Sequence, residues 1–420
     1  MFRPPYYHVP QELCDEVIDY LWDDVPTLQA CAVACHGWVW RAQRHIFRSV
    51  AINNATRFER FSRLIKTKPR IATYVRVLTI AKARRSKTKL DRAWPELLQT
   101  LRGVEDLTLG RWVEVFSMQQ VFKQNLPALF QRIRVLRLTN TSVGDVADLV
   151  CLLSACSAMH TLHLDNTRMV WPNWDQVDSI PSVDSPQLHA LSLTPTHAVP
   201  ITDIWAEGLI RATIRRLELE LITPDLFLSC RPVLRAMENT LEELVILVTG
   251  TKLRRRPLSG TLPPMKRLRR IHLRVKMLDA KQPIPRQYEW MLGFLRLLRI
   301  WESNSHLSEV VLSWRTSDLA SMKTSPPWDE FDFGMAKLAK ANDKLRFTLN
   351  VLDDTGIQNQ WIYMVGLGLH AFPSLRKLRT TLAVNMGSSW DEHETFGGSL
   401  SNPKQWAFHF DPQTVSVPKV

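Results

Sequence analysis

A six-residue pattern recurs along most of the chain: an apolar residue, then a leucine three positions later and another aliphatic residue five positions later. Clear copies span residues 75–80, 104–109, 133–138, 159–164, 188–193, 214–219, 241–246 and 268–273. Degenerate copies follow at 307–312, 346–351 and 375–380. Successive copies begin 26 to 29 residues apart, except for two intervals of 39 residues. Such a period is typical of a repeat architecture, in which each unit contacts mainly its neighbours.

Each copy is predicted to be a short strand. Because strand side chains alternate between two faces, the fourth and sixth residues of a copy point the same way, and a single unit cannot bury that face. We therefore expect parallel strands stacked into an α/β solenoid of about eleven units over residues 75–386. Helical returns are predicted at 145–159 and 286–303, and loops at 170–186 and 250–264. The period resembles that of leucine-rich repeats, which implies a degenerate horseshoe.

Threonines stand at the ninth position of three units, where the chain leaves the strand: Thr141, Thr167 and Thr196. In leucine-rich repeats this position often carries a polar side chain that bridges backbone groups of adjacent coils. An ordinary turn threonine is the alternative.

The first 50 residues lack this pattern, and we expect no strand before Val75. A first helix follows Val9-Pro10, with Leu13, Val17 and Leu21 at helical spacing. Two further short helices are predicted at 27–35 and 37–47, which together would form only a small core. Residues 51–74 are predicted to be a basic helical linker, and 387–420 an irregular tail.

Residues 9–21 (Val-Pro-Gln-Glu-Leu-Cys-Asp-Glu-Val-Ile-Asp-Tyr-Leu) and 28–38 (Leu-Gln-Ala-Cys-Ala-Val-Ala-Cys-His-Gly-Trp) resemble the F-box. That motif begins (Leu/Val)-Pro-x-Glu-Leu and ends (Val/Ala)-Cys-x-x-Trp, and the segment after it looks like that of fungal F-box proteins with leucine-rich repeats. The sequence departs from the common pattern at Gly37 and Trp40. A glycine inside a helix costs about 1 kcal/mol relative to alanine.

The resemblance implies a substrate receptor of a Skp1–cullin–F-box (SCF) type ubiquitin ligase. In that family the F-box docks on a Skp1-type adaptor and the repeats hold a protein substrate. The adaptor-binding residues carried over by position are Val9, Pro10, Leu13, Val17, Ile18, Leu21, Leu28, Cys35 and Trp38. We assign Pro10, Leu13 and Leu28 mainly to adaptor contact, whereas Val17, Leu21 and Trp38 could equally be core.

Strand parity predicts which residues face outward from the sheet, at the third, fifth and seventh positions of each copy. Candidate substrate-binding residues on this face are Arg137, His163, Asp165, Arg216, Glu218, Glu220, Glu243, Arg270, His272 and Arg274. We expect an acidic patch (Glu218, Glu220, Glu243) beside a basic one (Arg270, Arg274). A solvated surface without a ligand is the alternative.

The formal charge of +13 is unevenly distributed. Residues 41–92 contain sixteen Lys/Arg and two acids, and residues 251–276 contain ten Lys/Arg and no acid. These runs are typical of solvated loops, but they also allow contact with phosphate groups. The rival function is therefore a ligase-independent scaffold that binds a protein or nucleic acid.

Motifs of nucleotide-binding enzymes, metalloproteases and serine hydrolases are absent from the sequence. The six cysteines form no Cys-x-x-Cys pair, and Cys31 and Cys35 are interpreted as buried thiols. We expect no enzyme activity, catalytic residue, metal or cofactor. No membrane-spanning segment or signal peptide is predicted, which indicates a cytoplasmic or nuclear protein, monomeric within a hetero-complex.

Overall fold

The computed structural model describes residues 9–81, 96–111, 130–144, 146–169, 183–184, 187–194, 210–211, 213–221, 230–248, 263–276, 306–316, 328–342, 344–353, 372–378, 381–387 and 406–410. The chain divides into two compact units, Met1–Leu188 and His189–Val420. Within the described ranges, no helix is both long enough and apolar enough to cross a membrane.

The first unit begins with three short helices, α1 (Gln11–Tyr20), α2 (Val25–Ala34) and α3 (His36–Ile46). Asp24 caps α2, because its carboxylate accepts hydrogen bonds from the Thr27 backbone N–H (3.1 Å) and hydroxyl (2.6 Å). Helix α3 begins at His36, so Gly37 lies in its first turn and not in a helix interior. We refer to these helices as the helical module.

A parallel sheet follows in the same unit. Its strands lie in the order β1 (Ser49–Ile52), β2 (Val77–Ala81), β3 (Asp106–Gly110), β4 (Val135–Thr139) and β6 (Thr161–Asp165). The remaining elements of this unit are α4 (Ala55–Thr67), a 3-10 helix (Pro69–Thr73), β5 (Ser142–Val143), α5 (Val146–Ala155), β7 (Arg168–Met169) and β8 (Val183–Asp184). Helix α5 confirms the return helix predicted at 145–159.

The second unit repeats this arrangement. Its parallel strands lie in the order β9 (Ala190–Leu193), β11 (Arg216–Leu221), β12 (Glu243–Val248), β13 (Arg270–Lys276), β14 (Glu309–Thr316), β15 (Arg346–Asp353) and β16 (Thr381–Gly387), and β17 (Trp406–Phe410) pairs antiparallel with β16. Strand β10 (Ile210–Arg211) and helices α6 (Arg231–Ala236), α7 (Trp328–Ala341) and α8 (Pro373–Lys377) complete the described elements. Each unit is therefore an α/β solenoid-like stack.

The repeat pattern accounts for the core. In the nine copies that begin at residues 75 to 307, every first, fourth and sixth residue is at most 3 % exposed. Within a unit, the fourth and sixth residues lie beside their counterparts of the next coil, as in the pairing of Leu78 with Leu107 and of Leu217 with Leu244. The predicted strands and their inward faces are thus confirmed for these copies.

Within each unit, the backbone connects most adjacent coils of the described residues in the same way. The carbonyl of the second residue of a copy accepts two N–H groups from the next coil: the Arg48 oxygen accepts from Arg76 and Val77, both at 2.9 Å. The Arg76 oxygen then accepts from Glu105 and Asp106, at 2.9 and 3.1 Å. This repetition places the second residues of successive coils side by side along one edge of the sheet.

The expectation that no strand precedes Val75 is wrong. Strand β1 pairs parallel with β2, with Val50 opposite Leu78 and Ile52 opposite Ile80. Residues 47–52 thus form a further copy in which valine and isoleucine replace the leucines. The predicted linker 51–74 is consequently the end of this strand and its return segment, α4 and the 3-10 helix.

The last two copies were assigned to the wrong residues. Register pairs Val310 with Phe347 and Leu312 with Leu349, two residues before the predicted positions. Leu375, the predicted start of the final copy, lies buried in α8, and the strand begins only at Thr381. Strand β17 likewise interrupts the tail predicted to be irregular. The predicted helix at 286–303, the loop at 250–264 and Thr196 lie outside the described residues.

Two ninth-position threonines bridge coils as predicted. The buried Thr141 hydroxyl donates to the Leu109 carbonyl (3.1 Å), and the buried Thr167 hydroxyl donates to the Leu138 carbonyl (3.0 Å). The preceding residues of successive coils, Arg111, Asn140 and Asn166, all have left-handed backbones, with φ of 59°, 52° and 47°. An asparagine tolerates this conformation better than an arginine does.

Candidate functional site

Helix α1 exposes an apolar stripe. Val9, Leu13 and Val17, spaced four residues apart, are 55 %, 52 % and 60 % exposed, and Tyr20 at the end of the helix is 85 % exposed. Residues at this spacing lie above one another on one side of a helix. We call these four residues the α1 stripe. Pro10, which precedes the first turn, is also exposed.

The opposite side of α1 packs inside the module. Ile18 and Leu28 are at most 2 % exposed and form a small core with Ala42, against which Leu21, Cys31, Trp38 and Ile46 pack while partly buried. The assignment of Leu28 and Ile18 to adaptor contact is therefore wrong for this conformation, because neither side chain reaches the surface. Leu21 and Trp38 are mainly core, one of the two roles left open for them.

A polar cluster holds α1 against α3. The Asp19 carboxylate accepts hydrogen bonds from the Arg41 guanidinium, at 2.6 Å from Nε, and lies 2.7 Å from His45 Nε2. The Arg41 hydrogen bonds, more than the His45 contact, lower the pKa of Asp19 to about 2. At the other end of α1, the Gln11 amide donates to the Gly37 carbonyl at 3.3 Å. A Cβ on Gly37 would lie 2.9 Å from the Gln11 Oε1, so glycine allows this close approach.

Other large apolar side chains on the module are also exposed: Trp22, Val25, Val33 and Trp40. Trp40 is contacted by the Arg70 guanidinium, which lies 3.7 Å above the centre of its ring.

Cys35 is exposed and Cys31 half-buried, so the interpretation of both as buried thiols is wrong.

The outward face of the sheet in the second unit is a network of ion pairs. Glu243 lies between Arg216 (3.1 Å) and Arg270 (3.5 Å), and Arg270 also contacts Glu309 (3.0 Å). Glu218 contacts Arg274 at 3.9 Å, and Glu220 accepts a hydrogen bond from the Thr194 hydroxyl at 3.0 Å. The expected acidic and basic residues therefore lie on adjoining strands and are joined by ion pairs. In the row Arg216, Glu243, Arg270 and Glu309 the two charges alternate from strand to strand.

Several candidate substrate-binding residues are buried. His163, Glu218 and His272 are at most 9 % exposed, and the His272 Nε2 lies 2.7 Å from the Ser313 hydroxyl. Burial raises the pKa of Glu218 and lowers that of His272, since it disfavours both charged forms. These three side chains do not present a surface to a substrate, which corrects their assignment.

The remaining candidates stay accessible to different degrees. Among the candidate arginines, Arg270 is the most exposed at 40 %, and Arg216 and Glu243 are about half as exposed. In the first unit, Arg137 pairs with Asp106 of the neighbouring strand, and Asp165 is half-buried. Arg274 is only 13 % exposed.

Within the described ranges, no group of three or more His, Cys, Asp or Glu side chains could hold a metal ion. Cys156 and Cys230 are buried, and burial raises the pKa of the Cys230 thiol to about 12 and that of Cys156 further. Both thiols therefore stay protonated and unreactive.

The basic runs are described only in part. Residues 82–92 and 251–262 lie outside the described residues, whereas residues 41–81, with the arginines of α3 and α4, and residues 263–276 lie within them.

No protein-family model matches the chain, and no curated protein is significantly similar to it in sequence.

Proposed function

We propose that this chain is the substrate-recognition subunit of an SCF-type ubiquitin ligase, docking through the helical module on a Skp1-type adaptor. The observation that carries the proposal is the α1 stripe. Three of its members, Val9, Leu13 and Val17, occupy positions that the F-box resemblance assigns to the adaptor, and all three are exposed.

We infer that the stripe serves binding and not folding. The module already has a core on the other side of α1, at Ile18, so burial of Leu13 or Val17 is not needed to hold the helices together. Exposed apolar residues that are contiguous, as these are along one helix, mark interaction surfaces. Because Asp19, Arg41 and Gln11 fix α1 against α3, binding would order little of the backbone.

The proposed mechanism is proximity. The module would attach the chain to the ligase, and the solenoid would hold a protein substrate near the ubiquitin-loaded enzyme, which raises their effective concentration. The partly exposed Arg270, Arg216 and Glu243 are the substrate-facing residues that we retain. The chain itself would supply no catalytic group.

The test is a titration of the purified chain with a purified Skp1-type adaptor by calorimetry. We expect a one-to-one complex, and a loss of affinity of about thirty-fold or more for Leu13→Asp/Val17→Asp, because truncating a central interface residue costs about 2 kcal/mol or more. The matched control is Phe333→Asp, an equally exposed apolar residue on α7.

Equal affinities for the two variants, or no complex with the wild-type chain, would contradict the proposal. The repeat scaffold that works without a ligase would then be the better interpretation.

A further inference from the structure

Two adjoining clefts in the first unit are lined by arginines. The larger, of about 610 Å³, is lined by Asp19, Arg41, Arg44, His45, Arg48, Thr73, Tyr74, Arg76 and Glu105. The smaller, of about 260 Å³, is lined by Arg76, Arg102, Gly103, Val104, Glu105, Gln131, Arg132, Arg134 and Ala158. They share Arg76 and Glu105, and we call them together the arginine groove.

The repeat itself builds this groove. Arg48, Arg76, Glu105 and Arg134 are the second residues of successive copies, whose carbonyls and N–H groups are hydrogen-bonded coil to coil. Their backbones are thereby fixed at the edge where the strands begin, and the three arginine side chains are exposed to solvent. Arg44, one helical turn before Arg48, extends the row onto α3.

Most of the positive charge in the groove is not neutralised. Seven arginines line it against two carboxylates, Asp19 and Glu105. Asp19 pairs with Arg41, and Glu105 lies 3.5 Å from Arg134. In the part of the chain that the structure describes, the side chains of Arg44, Arg48 and Arg102 have no acidic partner.

The groove matches phosphate groups better than carboxylates. A phosphate monoester carries nearly two negative charges and three acceptor oxygens, and arginines bind it with bidentate geometry. A single carboxylate on exposed arginines gains little, because water screens the pair. The larger cleft offers Arg44, Arg48 and Arg76 around one space, which suits a dianion.

Glu105 lies where the two clefts of the groove meet, since it lines both of them. It lies between Arg76 and Arg134, where a fixed negative charge would repel a continuous phosphate backbone passing over it. Among the described lining residues, the aromatic rings are those of Tyr74 and His45, and both residues are half-buried, so an exposed stacking platform for bases is lacking. These features favour a peptide with separate phosphates over a nucleic acid.

We propose that the arginine groove binds an extended peptide that carries two phosphate groups, one in each cleft. The larger cleft lies level with β1 and β2, and the smaller cleft lies level with β3 and β4. The separation between the two clefts is therefore two strand spacings, or about 10 Å. An extended peptide covers this distance in about three residues. The best ligand therefore has phosphorylated residues at positions i and i+3. The inference does not depend on adaptor docking, because the groove contains no residue of the α1 stripe.

The test is fluorescence polarisation with the purified chain and four labelled ten-residue peptides: unphosphorylated, phosphoserine at one position, phosphoserine at i and i+3, and glutamate at both. We expect the doubly phosphorylated peptide to bind at least about tenfold more tightly than the singly phosphorylated one, since a charged hydrogen bond is worth about 1.5 kcal/mol or more. Affinity falls as salt rises.

Matched variants locate the site. Arg44→Gln/Arg48→Gln, which removes two exposed arginines with no acidic partner, should weaken binding at least about tenfold, whereas Arg57→Gln/Arg63→Gln on α4 should not. Equal binding of phosphorylated and unphosphorylated peptides, or equal effects of the two variants, would overturn the proposal. So would tighter binding of a single-stranded RNA decamer in the same groove.

Discussion

Thr141 and Thr167 hold equivalent positions in successive coils, and each donates its hydroxyl proton to a carbonyl of the preceding coil. Both are 1 % exposed, so no solvent replaces a lost hydrogen bond. A polar side chain at this position connects coils where the apolar ladder ends. These threonines were recognised by their position within the repeat. Residue type alone does not distinguish a bridging threonine from an ordinary turn threonine.

Thr141→Val should therefore lower the free energy of unfolding by about 1 kcal/mol, since it removes a buried hydrogen bond to the Leu109 carbonyl. Thr139→Val, two residues earlier on the outward face of β4, should change it by less than about 0.5 kcal/mol. Urea denaturation followed by circular dichroism measures both. Equal effects would show that the Thr141 hydroxyl does not bridge coils.

Asp19 makes the stability of the helical module depend on pH. Its pKa is lowered to about 2 by Arg41 and His45. Its contribution to the free energy of unfolding is therefore complete above its pKa in the unfolded chain, about 4, and is lost as the pH falls through 2. Because the carboxylate is 38 % exposed, screening limits the contribution to about 1 kcal/mol or less.

We expect Asp19→Asn to be less stable than wild type at pH 6, and the difference to disappear near pH 2. Thermal unfolding followed at several pH values tests this. Asp23→Asn, at an exposed residue next to the end of α1, is the control. A difference that persists at pH 2 would mean that steric effects, and not the charge of Asp19, are responsible.

At the scale of elements, the two sides of α1 serve different purposes. Ile18→Ala should destabilise the chain by about 2–5 kcal/mol, because it leaves a cavity beside Leu28 and Ala42. Leu13→Ala, on the α1 stripe, should change stability by less than about 0.5 kcal/mol. Thermal melts compare the two. A similar loss for Leu13→Ala would show that the stripe belongs to the fold.

The sequence predicted these elements unevenly. In strands with leucine at the fourth and sixth positions, the sequence identified the inward-facing residues, because the alternation of the pattern fixes the inward face. Strand β1 was missed since Val50 and Ile52 occupy the leucine positions, and Leu375 was misassigned since apolar spacing alone does not separate a strand from a short helix such as α8.

The candidate site was predicted by residue type but not by orientation. Helical spacing grouped Leu13, Val17 and Leu21 on α1, but it did not separate them from the neighbouring Ile18, which is also apolar. Which side is exposed depends on where α2 and α3 pack, and Leu28 and Ala42 bury Ile18. Similarly, strand parity indicated that Glu243 and Arg270 face outward, but their pairing joins residues of neighbouring coils, which local sequence does not specify.

At the scale of the whole molecule, the first unit carries two surfaces of opposite character. The α1 stripe is apolar and exposed, whereas the arginine groove is strongly positive. An apolar stripe suits a stable protein partner, and a positive groove suits a ligand whose charge can be changed by phosphorylation. On this view, docking on the adaptor is constant, whereas phosphorylation of the ligand regulates its binding to the arginine groove.

Hydrogen–deuterium exchange of the purified chain, alone and with a saturating Skp1-type adaptor, tests the docking surface directly. We expect slower exchange on adaptor binding for the amides of α1, and unchanged exchange for those of β11 to β13. Unchanged exchange in α1 under conditions where the adaptor binds, or protection confined to the strands of the second unit, would contradict docking through the α1 stripe.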